Sequence, residues 1–97
     1  MVNDDITNRV LLVENEPHKA ESTATQLAHY GFHCDTATGS ADALQLLRHN
    51  TYRSAILDDY LHGETSEFLV AHLRLRHPQT RIIAITEAPD CANCLYF

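Results

Sequence analysis

The chain has 97 residues, a length that corresponds to one small domain with a single hydrophobic core. Hydrophobic residues make up 44% and charged residues 21%, a balance that argues against intrinsic disorder. Thirteen acidic and seven basic residues give a net charge of −6, which argues against direct binding to nucleic acid. The apolar runs are too short to span a membrane, and the acidic N-terminus is unlike a targeting peptide. Three cysteines, an odd number, favour a reducing cytoplasm over a disulfide framework.

Short apolar runs alternate with segments of helical spacing along the chain. The predicted elements are strand 9–13, helix 17–30, strand 32–36, helix 39–50, strand 55–57, a helix that ends before Pro78, strand 81–86 and the start of a helix within 87–97. This order predicts an α/β fold, a doubly wound parallel sheet covered by helices on both faces. Strands one, three and four are uniformly apolar, whereas strand two alternates as an edge strand does. That difference favours the strand order 2-1-3-4.

Acidic residues follow strands one and three, at Glu14 to Glu16 and at Asp58-Asp59. In the predicted order these strands are neighbours at the point where the order reverses, and ligands bind outside the carboxyl ends of strands there. Either cluster alone is also consistent with solvated acids at a helix start or in a loop. Together they suit a magnesium site, because Mg²⁺ takes oxygen ligands from one or two carboxylates plus phosphate and water.

Four groups of residues carry a family resemblance. They are RVLLVENEP at 9–17, then Gly31-Phe32 with Ala37, Gly39, Ala43-Leu44 and Leu47, then Tyr52 with AILDDYLHG at 55–63, and IIAIT at 82–86. In this order they resemble the flavodoxin-like receiver domain of bacterial two-component response regulators, over residues 9–88 of a single domain at 1–97. Against the family pattern, residues 89–97 are a remnant of the fourth helix, and the fifth strand and last helix are missing.

The resemblance implies a phosphorelay domain, not an enzyme, that takes a phosphoryl group from a sensor histidine kinase or phosphotransfer protein. The implied site consists of the phosphoacceptor Asp58, the phosphate-binding Thr86, and a Mg²⁺ site formed by Glu14, Asn15, Asp58 and the backbone carbonyl of Tyr60. Asp58 is favoured over Asp59 because Leu61, three residues later, matches the family, and because alternation along strand three places Asp58 at the strand end.

Three departures from the family pattern leave a second interpretation open. Asn15 stands where the family has an aspartate, and His62 replaces a proline. The family also has a lysine in its fifth strand, whereas Lys19 is the single lysine of this chain. These departures favour a pseudo-receiver, an interaction module without phosphorylation. A remote third interpretation is a fragment of a Toprim-like magnesium nuclease or primase, although such a protein has Gly after the glutamate and a DxD motif.

The C-terminal residues carry two further expectations. Cys91 and Cys94 have a spacing found in zinc sites, but with no second pair of ligands a helical pair on an apolar face is favoured. Without a fifth strand, residues 81–86 form a sheet edge with the sequence of a buried strand. Such an edge predicts a homodimer built on the fourth strand and residues 88–97.

Overall fold

The computed structural model describes residues 8–58 and 65–85. Its elements are β1 (Arg9–Val13), α1 (Pro17–His29), β2 (His33–Ala37), α2 (Ser40–His49), β3 (Ser54–Asp58), α3 (Thr65–Arg76) and β4 (Arg81–Ile85). The four strands form one parallel sheet in the order β2-β1-β3-β4. The predicted α/β class and the 2-1-3-4 order are therefore confirmed. Of the helices in the described ranges, none is long and apolar enough to cross a membrane.

Local sequence fixes both ends of α1. Pro17 occupies the first turn, where its fixed φ suits a helix and its missing N–H is not needed. The Glu16 carboxylate caps this end by accepting a hydrogen bond from the Lys19 N–H at 3.0 Å. At the other end Gly31 adopts a φ of +90°, a left-handed conformation that glycine tolerates without strain. The helix thus begins four residues after β1 ends, near the carboxyl edge of the sheet.

One face of the sheet carries the main hydrophobic core. The parallel register places Val13 beside Ala37 and Leu57, so their side chains share a face. Helices α2 and α3 cover this face with Leu47, Leu69 and Leu73. The buried members of the core are Leu11, Val13, Ala37, Ala43, Leu47, Tyr52, Ala55, Leu57, Leu69, Leu73 and Ile82.

The opposite face is covered unevenly in the described part of the chain. Helix α1 packs against β1 and β2, whereas Ile56 and Ile83 are only half-buried and Ile85 is 45% exposed. The continuous apolar sequences of β3 and β4 predicted uniform burial. In the structure, burial instead alternates along both strands. Among the described elements, helical cover on this face is limited to the β1–β2 half.

Strand β2 is an edge strand, as predicted, and its inward face carries an acidic residue. Asp35 is paired with Leu11 in the register and so lies on the same face as Ala37. It is half-buried, while the next residue, Thr36, is exposed. The physical reason is that Asp35 receives hydrogen bonds from Arg9 and Tyr52, which compensate the burial of its charge.

Candidate functional site

Two of the predicted site residues meet at the carboxyl edge of the sheet. Asp58 is the last residue of β3, and Glu14 directly follows β1, the neighbouring strand. The Glu14 N–H donates to the Ala37 carbonyl at 2.9 Å, which holds this position in line with the sheet. Both carboxylates line one cavity of about 360 Å³. The structure therefore brings the two strand-end acids to a common site.

The carboxyl groups of Glu14 and Asp58 interact directly. Burial raises the pKa of Glu14, and its hydrogen bond with Asp58 raises it further. The Glu16 N–H, which donates to Glu14 Oε2 at 3.1 Å, and the Lys19 charge act in the opposite direction but do not cancel the rise. Two carboxyl groups in direct contact repel each other when both are ionised. Such a pair therefore favours the binding of a proton or a cation.

Helix α1 forms the second wall of the cavity. Four α1 side chains line the space opposite the strand ends: His18, Lys19, Ser22 and Thr23. Three apolar residues of the sheet complete the lining: Leu12, Ile56 and Ile85. Sequence reasoning treated Lys19 only as a residue outside the family pattern and missed its place in this cavity. The available signal was the four-residue spacing of Lys19 and Thr23, directly after the cap at Glu16.

The donor set of the site fits a hard cation. Carboxylate oxygens of Glu14 and Asp58 face one cavity, and half-buried Asn15 follows Glu14 in the chain. Across residues 8–58 and 65–85, no cluster of three His, Cys, Asp or Glu side chains could hold a metal. Two carboxylates completed by neutral oxygens and water are characteristic of Mg²⁺, not of Zn²⁺.

Several predicted residues fall outside the described ranges. They are Asp59, Tyr60, Leu61, His62, Thr86, Cys91 and Cys94, together with the predicted helix start in 87–97. Of the predicted site residues, Glu14, Asn15 and Asp58 lie in the described ranges, and Glu14 and Asp58 are the ones that line the cavity.

Comparison with known proteins decides the family. The model of the response regulator receiver domain matches residues 10–95. The chain belongs to this family. The resemblance carried by the strand-end acids and the apolar strands is thereby confirmed, and so is the flavodoxin-like architecture. No curated protein sequence is similar enough to count as a match.

Solved structures agree with this assignment. Response regulator TrrA of Thermotoga maritima, in complex with Mg²⁺–BeF, is 26% identical with a TM-score of 0.78, over 88% of this chain and 74% of TrrA. A complex of histidine kinase ThkA with TrrA matches at 27% identity and a TM-score of 0.74, over 84% of this chain and 70% of the matched chain. A Burkholderia pseudomallei response regulator with a phosphorylated aspartic acid, calcium and citrate shares the fold at 22% identity and a TM-score of 0.79. This receiver domain aligns over 88% of its length with half of that chain.

A second polar cluster lies at the opposite, amino edge of the receiver sheet, and sequence reasoning did not identify it. Arg9 Nη2 donates to Asp35 Oδ2 at 3.2 Å and to Asn50 Oδ1 at 3.0 Å. The Tyr52 hydroxyl donates to the same Asp35 oxygen at 2.7 Å, and the Arg9 guanidinium lies 5.5 Å from the Tyr52 ring centre. We refer to Arg9, Asp35, Asn50 and Tyr52 as the amino-edge network.

The amino-edge network stabilises the charge of Asp35. Burial alone would raise the pKa of this carboxyl group, but hydrogen bonds from Tyr52 and Arg9, together with the charges of His33 and Arg9, outweigh burial and lower it below its ordinary value. Burial and the bond to Asp35 in turn raise the pKa of Tyr52. Thr80 Oγ1 donates to the Tyr52 carbonyl at 2.7 Å and so ties the start of β4 to this edge.

Proposed function

We propose that this receiver domain accepts a phosphoryl group on Asp58 from a histidine of a sensor kinase or phosphotransfer protein. The observation that carries the proposal is the contact of Glu14 and Asp58 in one cavity at the carboxyl edge of β1 and β3. In the transfer, an Asp58 carboxylate oxygen bonds to phosphorus while the bond from phosphorus to the imidazole nitrogen breaks, and the histidine leaves. The complex of TrrA with the histidine kinase ThkA supports this class of partner.

The side chains of Glu14, Asn15 and Asp58, with the backbone carbonyl of Tyr60, are proposed to hold Mg²⁺. The ion supplies positive charge that offsets repulsion between the acceptor carboxylate and the phosphoryl oxygens. The Thr86 hydroxyl is proposed to donate to a phosphoryl oxygen. The roles of Tyr60 and Thr86 are implied by the family resemblance. The metal is supported by the paired carboxylates of the described site and by the Mg²⁺–BeF complex of TrrA.

Phosphodonor labelling tests the proposal. The chain is incubated with acetyl phosphate and Mg²⁺, and the acyl phosphate is located by mass spectrometry. We expect the label on Asp58, lost in Asp58→Asn and retained in Asp59→Asn, which serves as the matched control. Label on Asp59 with none on Asp58 would overturn the assignment of the acceptor.

Asn15 favours a second candidate, a pseudo-receiver that binds partners without phosphorylation. Its neutral amide oxygen is a weaker ligand for Mg²⁺ than the aspartate of the family. A folded protein that shows no calorimetric response to Mg²⁺ and takes no label from acetyl phosphate would establish this candidate over the first.

The setting of the domain is also proposed. We place it in the cytoplasm as a signalling module without enzymatic activity, binding neither nucleic acid nor membrane, in keeping with its net charge of −6. The proposed dimer uses β4 and residues 88–97, and the 45% exposure of Ile85 on β4 supports an apolar contact there. Light scattering at micromolar concentration should report a dimer. A monomer whose β4 amides resist hydrogen exchange would contradict it.

A further inference from the structure

The position of Lys19 points to a role in the site beyond those already assigned. Lys19 lies in the first turn of α1, and its backbone N–H is fixed by the Glu16 cap at 3.0 Å. Its side chain lines the same cavity as Glu14 and Asp58. Of the described residues around this cavity, Lys19 is the one with a permanent positive charge.

The charge of Lys19 acts on the paired carboxylates but does not neutralise them. The Lys19 side chain lines the same cavity as both carboxyl groups, so its charge acts on the pair at close range. Two carboxyl groups, those of Glu14 and Asp58, share the cavity with this one ammonium, so the acidic groups outnumber it. A phosphoryl group on Asp58 adds further negative charge to the same space.

We infer that Lys19 binds the phosphoryl group on Asp58, its ammonium donating to a phosphoryl oxygen across the cavity. This inference rests on the proposed function of Asp58. Lysine suits the task because its compact charge sits on a flexible stem of four carbons and has three donors. The capped first turn of α1 fixes the backbone of Lys19 beside the cavity that its side chain lines.

In this position, the charge of Lys19 has opposite effects on the two ligands of the site, the phosphoryl group and the cation. Its attraction for an added phosphoryl group grows with the negative charge of that group, whereas its effect on a cation at Glu14 and Asp58 is repulsive. Removal of the lysine charge should therefore weaken binding of a phosphoryl mimic and leave Mg²⁺ alone bound as well as before, or more tightly.

Beryllofluoride, which forms a phosphoryl-like group on a carboxylate, is the probe. The full chain at saturating Mg²⁺ is titrated with beryllofluoride and followed by ¹⁹F NMR, while Mg²⁺ affinity alone is measured by calorimetry. We expect Lys19→Gln to weaken beryllofluoride binding about ten-fold and Lys19→Arg to restore most of it. Gln matches Lys in helix propensity, so the variant keeps α1. Arg48→Gln, on the exposed surface of α2, removes the same charge away from the cavity and is expected to change nothing.

The outcomes distinguish a failure of the Lys19 role from a failure of the proposed function of Asp58. If wild type binds beryllofluoride and Lys19→Gln binds it as well as Arg48→Gln does, the role of Lys19 is overturned and the role of Asp58 stands. Lys19→Gln that tightens Mg²⁺ with unchanged beryllofluoride affinity also overturns it, since Lys19 is then only a counterion of Glu14. Folded wild type that binds no beryllofluoride with Mg²⁺ overturns the proposed function and the role of Lys19 together.

Discussion

Half-buried acidic groups have opposite electrostatic surroundings at the two edges of the sheet. At the amino edge, Asp35 accepts hydrogen bonds from Arg9 and Tyr52, and its pKa lies below the ordinary value. At the carboxyl edge, Glu14 meets a second acid, Asp58, and its pKa lies above the ordinary value. Strand β1 joins the two edges, with Arg9 at its start and Glu14 directly after its end.

This difference separates an acid that stabilises the fold from an acid available for chemistry. A carboxylate with a complete set of donors contributes to folding in its charged form. A carboxylate beside another acid disfavours its own charge, and this repulsion is relieved when a cation binds. The contrast supports a structural role for the amino edge and is consistent with the function proposed for the carboxyl edge.

Breaking the amino-edge network should have the largest effect on stability. Asp35→Ala removes the acceptor shared by Arg9 and Tyr52 and leaves a partly buried guanidinium without its carboxylate. We expect unfolding free energy to fall by about 2–3 kcal/mol, measured by urea denaturation. Glu21→Ala, on an exposed position of α1, is the control and should cause a much smaller change. Equal losses in the two variants would show that the network is not structural.

Adding a charge at the carboxyl edge should have the next largest effect. Asn15→Asp supplies a charged oxygen ligand beside Glu14 and is expected to tighten Mg²⁺ binding about ten-fold, or about 1.4 kcal/mol. Calorimetric titration measures this change. Asn50→Asp makes the same substitution in the amino-edge network and should leave Mg²⁺ affinity unchanged. Unchanged or weaker binding in Asn15→Asp would remove Asn15 from the proposed ligands.

The sequence predicted the helices and strands of the described ranges and the meeting of acidic residues at the carboxyl edge. Pro17 and Gly31 mark the ends of α1 through local backbone restrictions, so its bounds needed no tertiary information. Glu14 and Asp58 could be placed together because parallel strands end at a common edge once their order is known. Local signals and topology were sufficient for both results.

The remaining features depend on packing between distant segments. Asp35 contacts Arg9 and Tyr52, which are 26 and 17 residues away, and nothing local indicates that an acid in an edge strand faces the core. The half-buried state of Ile56 and Ile83 depends on which helices cover each half of a face. Periodicity describes a single element, so such features become visible only after the elements are assembled.

Removing one acid at the carboxyl edge should stabilise the metal-free protein. Asp58→Asn ends the repulsion with Glu14 and keeps the size of the side chain. We expect about 1 kcal/mol of added stability in urea denaturation at neutral pH without Mg²⁺. Mg²⁺ should then stabilise wild type more than the variant. Glu67→Gln, exposed on α3, is the matched control with no expected gain. A loss of stability in Asp58→Asn would show that the pair is favourable as it stands.

Acid titration tests the lowered pKa of Asp35 and carries the smallest expected effect. The folded protein holds this carboxyl ionised below the ordinary pKa of 3.8, so the unfolded chain binds more protons there and stability rises with pH. The contribution of Asp35 is therefore complete above 3.8 and is lost as pH falls through the lowered, folded-state pKa. Because other acids titrate in the same range, the measured quantity is the difference in unfolding free energy between wild type and Asp35→Asn. That difference should shrink as the pH falls below 3.8. A constant difference for Asp35→Asn would mean that Arg9 and Tyr52 do not favour the charged form.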